Sequence, residues 1–302
     1  MYITQDVSFR RDKLNIYGKL FAPEVLSEVL TGEKASSVGG NFGGKADEVT
    51  ETIESIEAAE EHAEEATQAP FVKFPGIIFS HGYGGTGVTG TFYARALAEK
   101  GYAVLCIDFC GGGEYSKSDG SPLELSLMTE AEDIAAAVRY MCEQSFIDSR
   151  RIFLLGESLG GMASALYANE HPELFKGLML LYPGFCFREI VKGIFKSFDE
   201  VPESYAYLPN LTVGRRFAED IWDFDIYEHI AGYRRPVLII HGNADSLVDV
   251  SYSVKAAEVY PDAELHIIDK AEHGFRGADF RQAMGYIDKY LEKADASQAK
   301  IH

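Results

Sequence analysis

An α/β fold, with a mostly parallel sheet covered by helices on both faces, is the architecture this sequence predicts. Three observations carry it. From residue 75 onward, short continuous apolar runs alternate with stretches of helical period, the pattern of strands buried on both faces by helices. Two strand-like segments joined by a short turn precede that alternation. The apolar run Arg151-Ile152-Phe153-Leu154-Leu155 passes through Gly156-Glu157-Ser158-Leu159-Gly160 straight into a helical pattern. That order describes a strand, a very tight turn and a helix, with a serine at the apex and small residues where side chains would collide.

Each element follows in order. Residues 2–10 and 14–22 are rich in β-branched and aromatic residues and predict an N-terminal antiparallel hairpin turning at Arg11-Asp12-Lys13. Residues 24–70 break the pattern. They hold twelve acids against two lysines, so ten of the nineteen net negative charges lie here. Composition favours helix from Asp47 to Ala66, with Val49, Ile53 and Ile56 as a narrow apolar stripe. With so little apolar surface to bury, the segment reads as a solvated arm inserted between two strands. Contact with a partner is the other reading.

After Pro75 the predicted strands are Gly76–Ser80, Tyr102–Asp108, Arg151–Leu155, Leu178–Tyr182, Val237–Ile240 and Glu264–Ile268. The predicted helices are Thr91–Lys100, Thr129–Glu143, Ser158–Asn169 and an amphipathic closing helix, Asp279–Lys293. Residues 184–226 interrupt the alternation. Nine of these 43 residues are aromatic, against 12% for the whole chain, and they include the only tryptophan. An insertion at this point would sit over the carboxyl ends of the strands, where open α/β sheets bind ligands. It reads as a cap on an apolar pocket, with Phe185, Phe187 and Trp222 as candidate substrate contacts. The nine aromatics are expected to divide evenly between lining that pocket and packing the cap onto the body.

The 302 residues, 46% of them hydrophobic, suffice for one large domain spanning 1–302 with both insertions inside it. The longest apolar runs, such as Gly177–Leu181, are strand-sized and too short to span a membrane. Met1–Val7 has no basic segment followed by an apolar stretch, and none of the four cysteines forms a Cys-x-x-Cys pair. A cytoplasmic protein without disulfides or a zinc site is expected. A net charge of −19 disfavours nucleic acid and anionic membrane surfaces as partners.

A serine at such a turn can act as a nucleophile if a base, a group orienting that base and oxyanion donors surround it. His273, in Glu272-His273-Gly274-Phe275 beyond the last strand, falls at the carboxyl edge of the sheet and is the candidate base. His62, His171, His229, His266 and His302 read as surface or packing residues, and His81 and His241 as braces of their loops. Asp245 follows the strand Val237–Ile240 and is the candidate orienting acid, whereas Asp249 reads as a helix cap. The chain order Ser158, Asp245, His273 is that of α/β-hydrolases. The backbone N–H groups of Tyr83 and Leu159 are the candidate oxyanion donors.

Together these residues carry a family resemblance. The chain resembles α/β-hydrolase fold esterases, and more closely the bacterial cinnamoyl (feruloyl) esterase group. The matching pieces are His81-Gly82-Tyr83, Asp108-Phe109-Cys110-Gly111-Gly112-Gly113-Glu114 with Ser118-Asp119-Gly120, Gly156-Glu157-Ser158-Leu159-Gly160-Gly161, His241-Gly242-Asn243-Ala244-Asp245 and Glu272-His273-Gly274-Phe275. Three departures are visible. The insertion 24–70 is foreign to compact members, Cys110 stands where the group usually has Arg, and Glu157 and Leu159 flank the serine where His or Gln is common. The resemblance implies a serine esterase needing no cofactor and no metal. Its expected partner is a small-molecule ester with an aromatic or medium-sized acyl group, and a homodimer is left open. A lipase of the monoacylglycerol or lysophospholipid kind is the second reading. A peptidase is the third, with no propeller or gating domain read beside the hydrolase body, and a binding protein on the same scaffold is the non-enzymatic one.

Overall fold

Side-chain alternation decides the central sheet. In the computed structural model, which describes residues 1–32, 72–208 and 211–296, successive residues of each central strand enter opposite cores. Ile78, Leu105, Leu154, Leu180 and Ile239 belong to one core, and Phe79, Val104, Phe153, Met179 and Leu238 to the other. Burial on both faces is why these strands read as unbroken apolar runs.

The strands are β1 (Tyr2–Arg11), β2 (Leu14–Pro23), β3 (Phe74–Ser80), β4 (Ala103–Ile107), β5 (Ile147–Glu157), β6 (Gly177–Leu181), β7 (Ser204–Leu208), β8 (Leu211–Gly214), β9 (Val237–Gly242) and β10 (Ala263–Ile268). Eight of them form one sheet in the order β1-β2-β4-β3-β5-β6-β9-β10. The hairpin β1–β2 is antiparallel, turns at Asp12 in the left-handed region (φ 52°) and joins β4 antiparallel; the remaining pairs are parallel.

The helices are α1 (Ser27–Gly32), α2 (Thr91–Ala98), α3 (Leu127–Cys142), α4 (Ser158–Glu170), α5 (Phe187–Ile194), α6 (Arg215–Ile221), α7 (Ile226–Ile230), α8 (Ser251–Val259) and α9 (Gly277–Ala296). Ile134 and Val138 of α3, Met162 and Leu166 of α4 and Ala256 of α8 build the first core. Leu97 of α2 with Ile287 and Leu291 of α9 build the second. No helix among the described residues is long and apolar enough to cross a membrane.

The predicted elements are present with shifted ends. α3 starts at Leu127 rather than Thr129 because Ser126 and Thr129 form a reciprocal capping box, which makes Thr129 the third helical residue. β5 begins four residues before Arg151, since Ile147 pairs with Phe74 across a bulge at Pro75/Gly76. Within 184–226 the chain forms α5, a 3-10 turn (Phe198–Glu200), the separate hairpin β7–β8 and α6. The sequence predicts none of these four, because each is too short to establish a period. Of the acidic insertion, Glu24–Gly32 forms a 3-10 turn and α1. The predicted helix Asp47–Ala66 lies outside the described residues.

Strand direction fixes where these pieces stand. The carboxyl ends of β3, β5, β9 and β10 deliver the loops bearing His81, Ser158, Asp245 and His273 to one edge of the sheet. β2 runs the other way, pairing Phe21 with Val104 and Gly18 with Ile107. Pro23 and Phe74, which flank the acidic insertion, therefore sit at the opposite edge.

The approach of β5, α4 and the loop after β3 depends on glycine. A Cβ on Gly160 would overlap the His81 carbonyl oxygen and lie 2.6 Å from that of Ser80, and both are backbone atoms that cannot swing aside. Gly160→Ala is expected to destabilise the fold by about 3 kcal/mol, read as a lower urea midpoint at unchanged slope. An unchanged midpoint would mean the approach is looser than described.

Candidate active site

Ser158 takes φ 51°, in the left-handed region that non-glycine residues avoid. Such a conformation costs on the order of 1–3 kcal/mol and persists only where its surroundings over-determine it. Three contacts do so here. A Cβ on Gly156 would fall 2.6 Å from the Gly160 carbonyl oxygen and 2.7 Å from the Gly161 Cα, so strand and helix touch at the glycines. From the loop after β6, the Gly184 N–H donates to the Ser158 carbonyl at 2.7 Å. The loop after β3 closes from the third side, where a Cβ on Gly82 would lie 3.0 Å from the Ser158 Cβ and 3.5 Å from its Oγ.

His273 sits in the loop after β10, between Lys270 and Gly274, both at positive φ (59° and 87°). Its Nδ1 donates to Asp245 Oδ2 at 2.7 Å, which leaves Nε2 as the free ring nitrogen. The Asp245 carboxylate is fully buried and densely held. Its Oδ1 accepts the N–H groups of Leu247 and Val248, each at 2.9 Å, and Oδ2 also faces His241 Nε2 at 3.2 Å. His241 is itself fixed by the Val248 carbonyl at 2.9 Å and the Ser253 hydroxyl at 2.7 Å. Burial works to raise the Asp245 pKa, but hydrogen bonds from His241, His273 and the Val248 backbone outweigh it and hold the carboxyl well below its usual range. Asp249 is exposed and accepts the Ser251 N–H at 2.9 Å, as expected of a helix-end residue.

His81 is fully buried. Its Nδ1 donates to the Gly82 carbonyl at 2.8 Å and its Nε2 accepts the Phe109 N–H at 3.0 Å, an arrangement for the neutral ring. Burial pulls its pKa down in the same direction. It thus braces the loop that presents Tyr83. The Tyr83 ring is wedged among Phe187, Tyr207 and Phe217 at centroid distances of 5.8–5.9 Å, and its hydroxyl donates to the Leu211 carbonyl at 3.3 Å. Leu159 opens the first turn of α4, which has no side-chain cap, so its N–H stands at a helix N-terminus beside Ser158.

Ser158, His273 and Tyr83 line one cavity of about 590 Å³. Of the three candidate substrate contacts, Phe187 lines it, and Phe185 and Trp222 do not. Phe185 is buried against Tyr227, and Trp222 packs on Phe198 with the Lys192 ammonium 5.3 Å from its ring. Of the nine aromatics in 184–226 only Phe187 and Tyr207 reach the cavity, and the other seven pack the insertion. Short elements carry no period that tells an inward face from an outward one, so composition alone could not sort them.

Lining residues not taken as site candidates include Glu157 and Tyr182. Glu157 is buried beside the serine and accepts the Tyr182 hydroxyl at 2.9 Å. Tyr182, at φ 37°, lays its ring 4.6 Å from that of His273. Their positions, one residue before the serine and at the end of the next strand, were the available signals. Cys186 also lines the cavity, but burial pushes its thiol up to about 12, so it stays protonated and is no competing nucleophile. All four cysteines are buried, and none forms a disulfide. Among the described residues no cluster of three or more His, Cys, Asp or Glu could hold a metal.

Sheet order, elbow and histidine–aspartate pair together define an α/β-hydrolase fold. The sequence model of the prolyl oligopeptidase family matches residues 90–294, and the chain belongs to that family. It is 28% identical over 159 residues to the inactive dipeptidyl peptidase 10 of Mus musculus, covering 48% of this chain and 18% of that protein. It thus spans under a fifth of the length of that relative. It is 25% identical over 250 residues to a pimeloyl-[acyl-carrier protein] methyl ester esterase of Aeromonas hydrophila, covering 67% of this chain and 90% of that one. Its fold is similar to that of Est1E from Butyrivibrio proteoclasticus, solved with ferulic acid bound. The TM-score is 0.73 at 20% identity, covering 95% of this chain and 98% of that one.

The buried Asp245 makes a pH-dependent contribution. Because its folded pKa is depressed, the stabilisation is present above the unfolded carboxylate value, about 3.9, and is lost as pH falls through the lower folded value. Asp245→Asn should therefore unfold about 2–4 kcal/mol more easily at pH 7. That gap should narrow below about pH 4. A gap independent of pH in urea titrations would contradict the assignment.

Proposed function

We propose that this chain is a serine carboxylic-ester hydrolase, acting through an acyl-enzyme on aromatic, hydroxycinnamoyl-type or medium-sized acyl esters. The observation carrying the proposal is the His273–Asp245 bond of 2.7 Å in the same cavity as Ser158 at its elbow. In this reading His273 Nε2 takes the proton from the Ser158 hydroxyl as Oγ bonds to the ester carbonyl carbon. Asp245, kept ionised by its donors, holds the ring in the tautomer with its proton on Nδ1 and stabilises the imidazolium. The N–H groups of Leu159 and Tyr83 receive the oxyanion. The tetrahedral intermediate collapses, the carbon–oxygen bond to the alcohol breaks, and His273 gives its proton to that alcohol. Water then repeats the sequence on the acyl-enzyme and releases the acid.

The acyl preference is drawn from the apolar residues Phe187, Ile190, Tyr207 and Leu208, which line the same cavity as Ser158. It is in keeping with the ferulic acid bound to Est1E and with the ester named for the Aeromonas relative. In this reading residues 184–226 are a cap whose aromatics also clamp Tyr83, and residues 24–70 are an insertion apart from catalysis. Family membership favours a second reading, hydrolysis of a peptide bond by the same chemistry.

Three outcomes are expected. Ser158→Ala loses about 10⁴–10⁶ in kcat on ester substrates with an unchanged circular dichroism spectrum, and wild-type-like turnover in it would remove the mechanism. Asp245→Asn loses about 10⁴ in kcat while Asp249→Asn loses less than tenfold, and the reverse order would reassign the acid. Deleting residues 33–70 changes kcat/KM by no more than about twofold, since the insertion is rooted at the far edge of the sheet. A large loss would give the segment a part in the site. A kcat/KM panel of methyl ferulate, p-nitrophenyl butyrate and a chromogenic proline dipeptide separates the two readings; faster amide cleavage would favour the peptidase.

A further inference from the structure

Two cavities meet at His273. The first holds Ser158 and is lined mainly by apolar and aromatic side chains. The second is a polar recess of about 470 Å³, lined by Lys270, Glu272, His273, Gly274, Arg276 and Asp279. His273, Gly274 and Arg276 line both. The backbone leaves the junction open, since a Cβ on Gly274 or Gly277 would meet nothing within 4 Å beyond its chain neighbours. Arg276 is exposed and, among the described residues, is the only Arg or Lys lining the Ser158 cavity. Its carbonyl accepts the Asp279 and Phe280 N–H groups at the start of α9. Its guanidinium makes no hydrogen bond or ion pair with any described residue, so its N–H donors are available to a ligand.

We propose that Arg276 recognises a carboxylate on the leaving alcohol, so that the preferred substrates are esters of a hydroxy acid. The acyl group occupies the apolar cavity, and the alcohol passes His273 into the polar recess. The inference rests on the ester-hydrolase reading above and extends it from the acyl side to the alcohol side. His273 hands its proton to the departing alcohol, so the alcohol oxygen lies within hydrogen-bond reach of that ring. The substituent on this oxygen therefore starts beside the loop that carries Arg276 three residues further on. A guanidinium presents a planar fork of donors that a carboxylate meets side by side, with opposite charge; a hydroxyl or a neutral amide offers neither. The other charges do not displace Arg276 from this role. Lys270, Glu272 and Asp279 line the recess alone, whereas Arg276 also borders the Ser158 cavity. Asp279 stands in the first turn of α9, where the positive end of the helix offsets its charge. Glu157 lines the Ser158 cavity too, but it accepts the Tyr182 hydroxyl, and burial raises its pKa toward the neutral form.

The test uses two esters of 3-phenylpropanoic acid whose leaving alcohols are 4-hydroxybutanoate and its neutral analogue 4-hydroxybutanamide. For the wild type and for Arg276→Gln, kcat/KM is measured on both, and the carboxylate-to-amide ratio of the wild type is divided by that of the variant. The intrinsic reactivity of each ester, and any general loss of activity in the variant, cancel in this double ratio. It is expected to be about tenfold, the worth of one charge-assisted hydrogen bond at an exposed site. Arg276→Lys, which keeps the charge and loses the fork, should give a carboxylate-to-amide ratio between those of the wild type and Arg276→Gln. A double ratio near one, with both esters still cleaved in a Ser158-dependent way, overturns the inference and leaves the esterase reading standing. Cleavage of the 4-(trimethylammonio)butyl ester by the wild type about tenfold faster than either would assign the recess to its acids and also overturns it. If no ester is cleaved in a Ser158-dependent way, the esterase reading falls and this inference with it.

Discussion

The close approach of backbone to backbone at Gly156, Gly160 and Gly161 is the constraint on which the rest of the molecule depends. It lets β5 run straight into α4 with no intervening loop and forces Ser158 into a left-handed conformation that an isolated chain would leave. The cost is carried by neighbours on every side: the loop after β3, the Gly184 N–H and two cores that meet at the sheet. Because the serine is held by backbone, its hydroxyl is placed by the fold itself and not by the rotamers of surrounding side chains. Such preorganisation is what a covalent mechanism needs, since a small misplacement of the nucleophile costs orders of magnitude in rate.

The second centre of order is the Asp245 carboxylate. Four donors converge on it, the two backbone N–H groups of its own turn and the rings of His241 in β9 and His273 after β10, so its position is set as firmly as that of the serine. His241 has a role there that belongs to neither core nor cavity. It fills a pocket that would otherwise leave a buried anion under-satisfied, and it ties the turn to α8 through Ser253. A buried charge is tolerable only with this density of hydrogen bonds.

Much of this was legible in the sequence because the informative patterns are local. Burial on both faces turns a strand into an apolar run, so the sheet could be read strand by strand. The elbow needs glycines at fixed offsets from a serine, and Asp245 and His273 follow strands whose carboxyl ends share an edge. What was not legible depends on tertiary placement. Phe187 and Trp222 lie in equivalent aromatic surroundings in the sequence, yet of the two only Phe187 lines the cavity that holds Ser158. Glu157 and Tyr182 look like an ordinary polar residue and an ordinary strand end, until the sheet brings one hydroxyl to one carboxylate. The start of α3 was misplaced because Thr129 closes a capping box from inside the helix rather than opening it.

The central claim is that Ser158 is a nucleophile activated by His273. It is tested most directly by treating the protein with a fluorophosphonate ester, which phosphonylates an activated serine with loss of fluoride, and locating the adduct by mass spectrometry. A single adduct on Ser158, absent from Ser158→Ala and strongly slowed in His273→Ala, is the predicted result. No adduct, or one carried by another residue, would contradict the account.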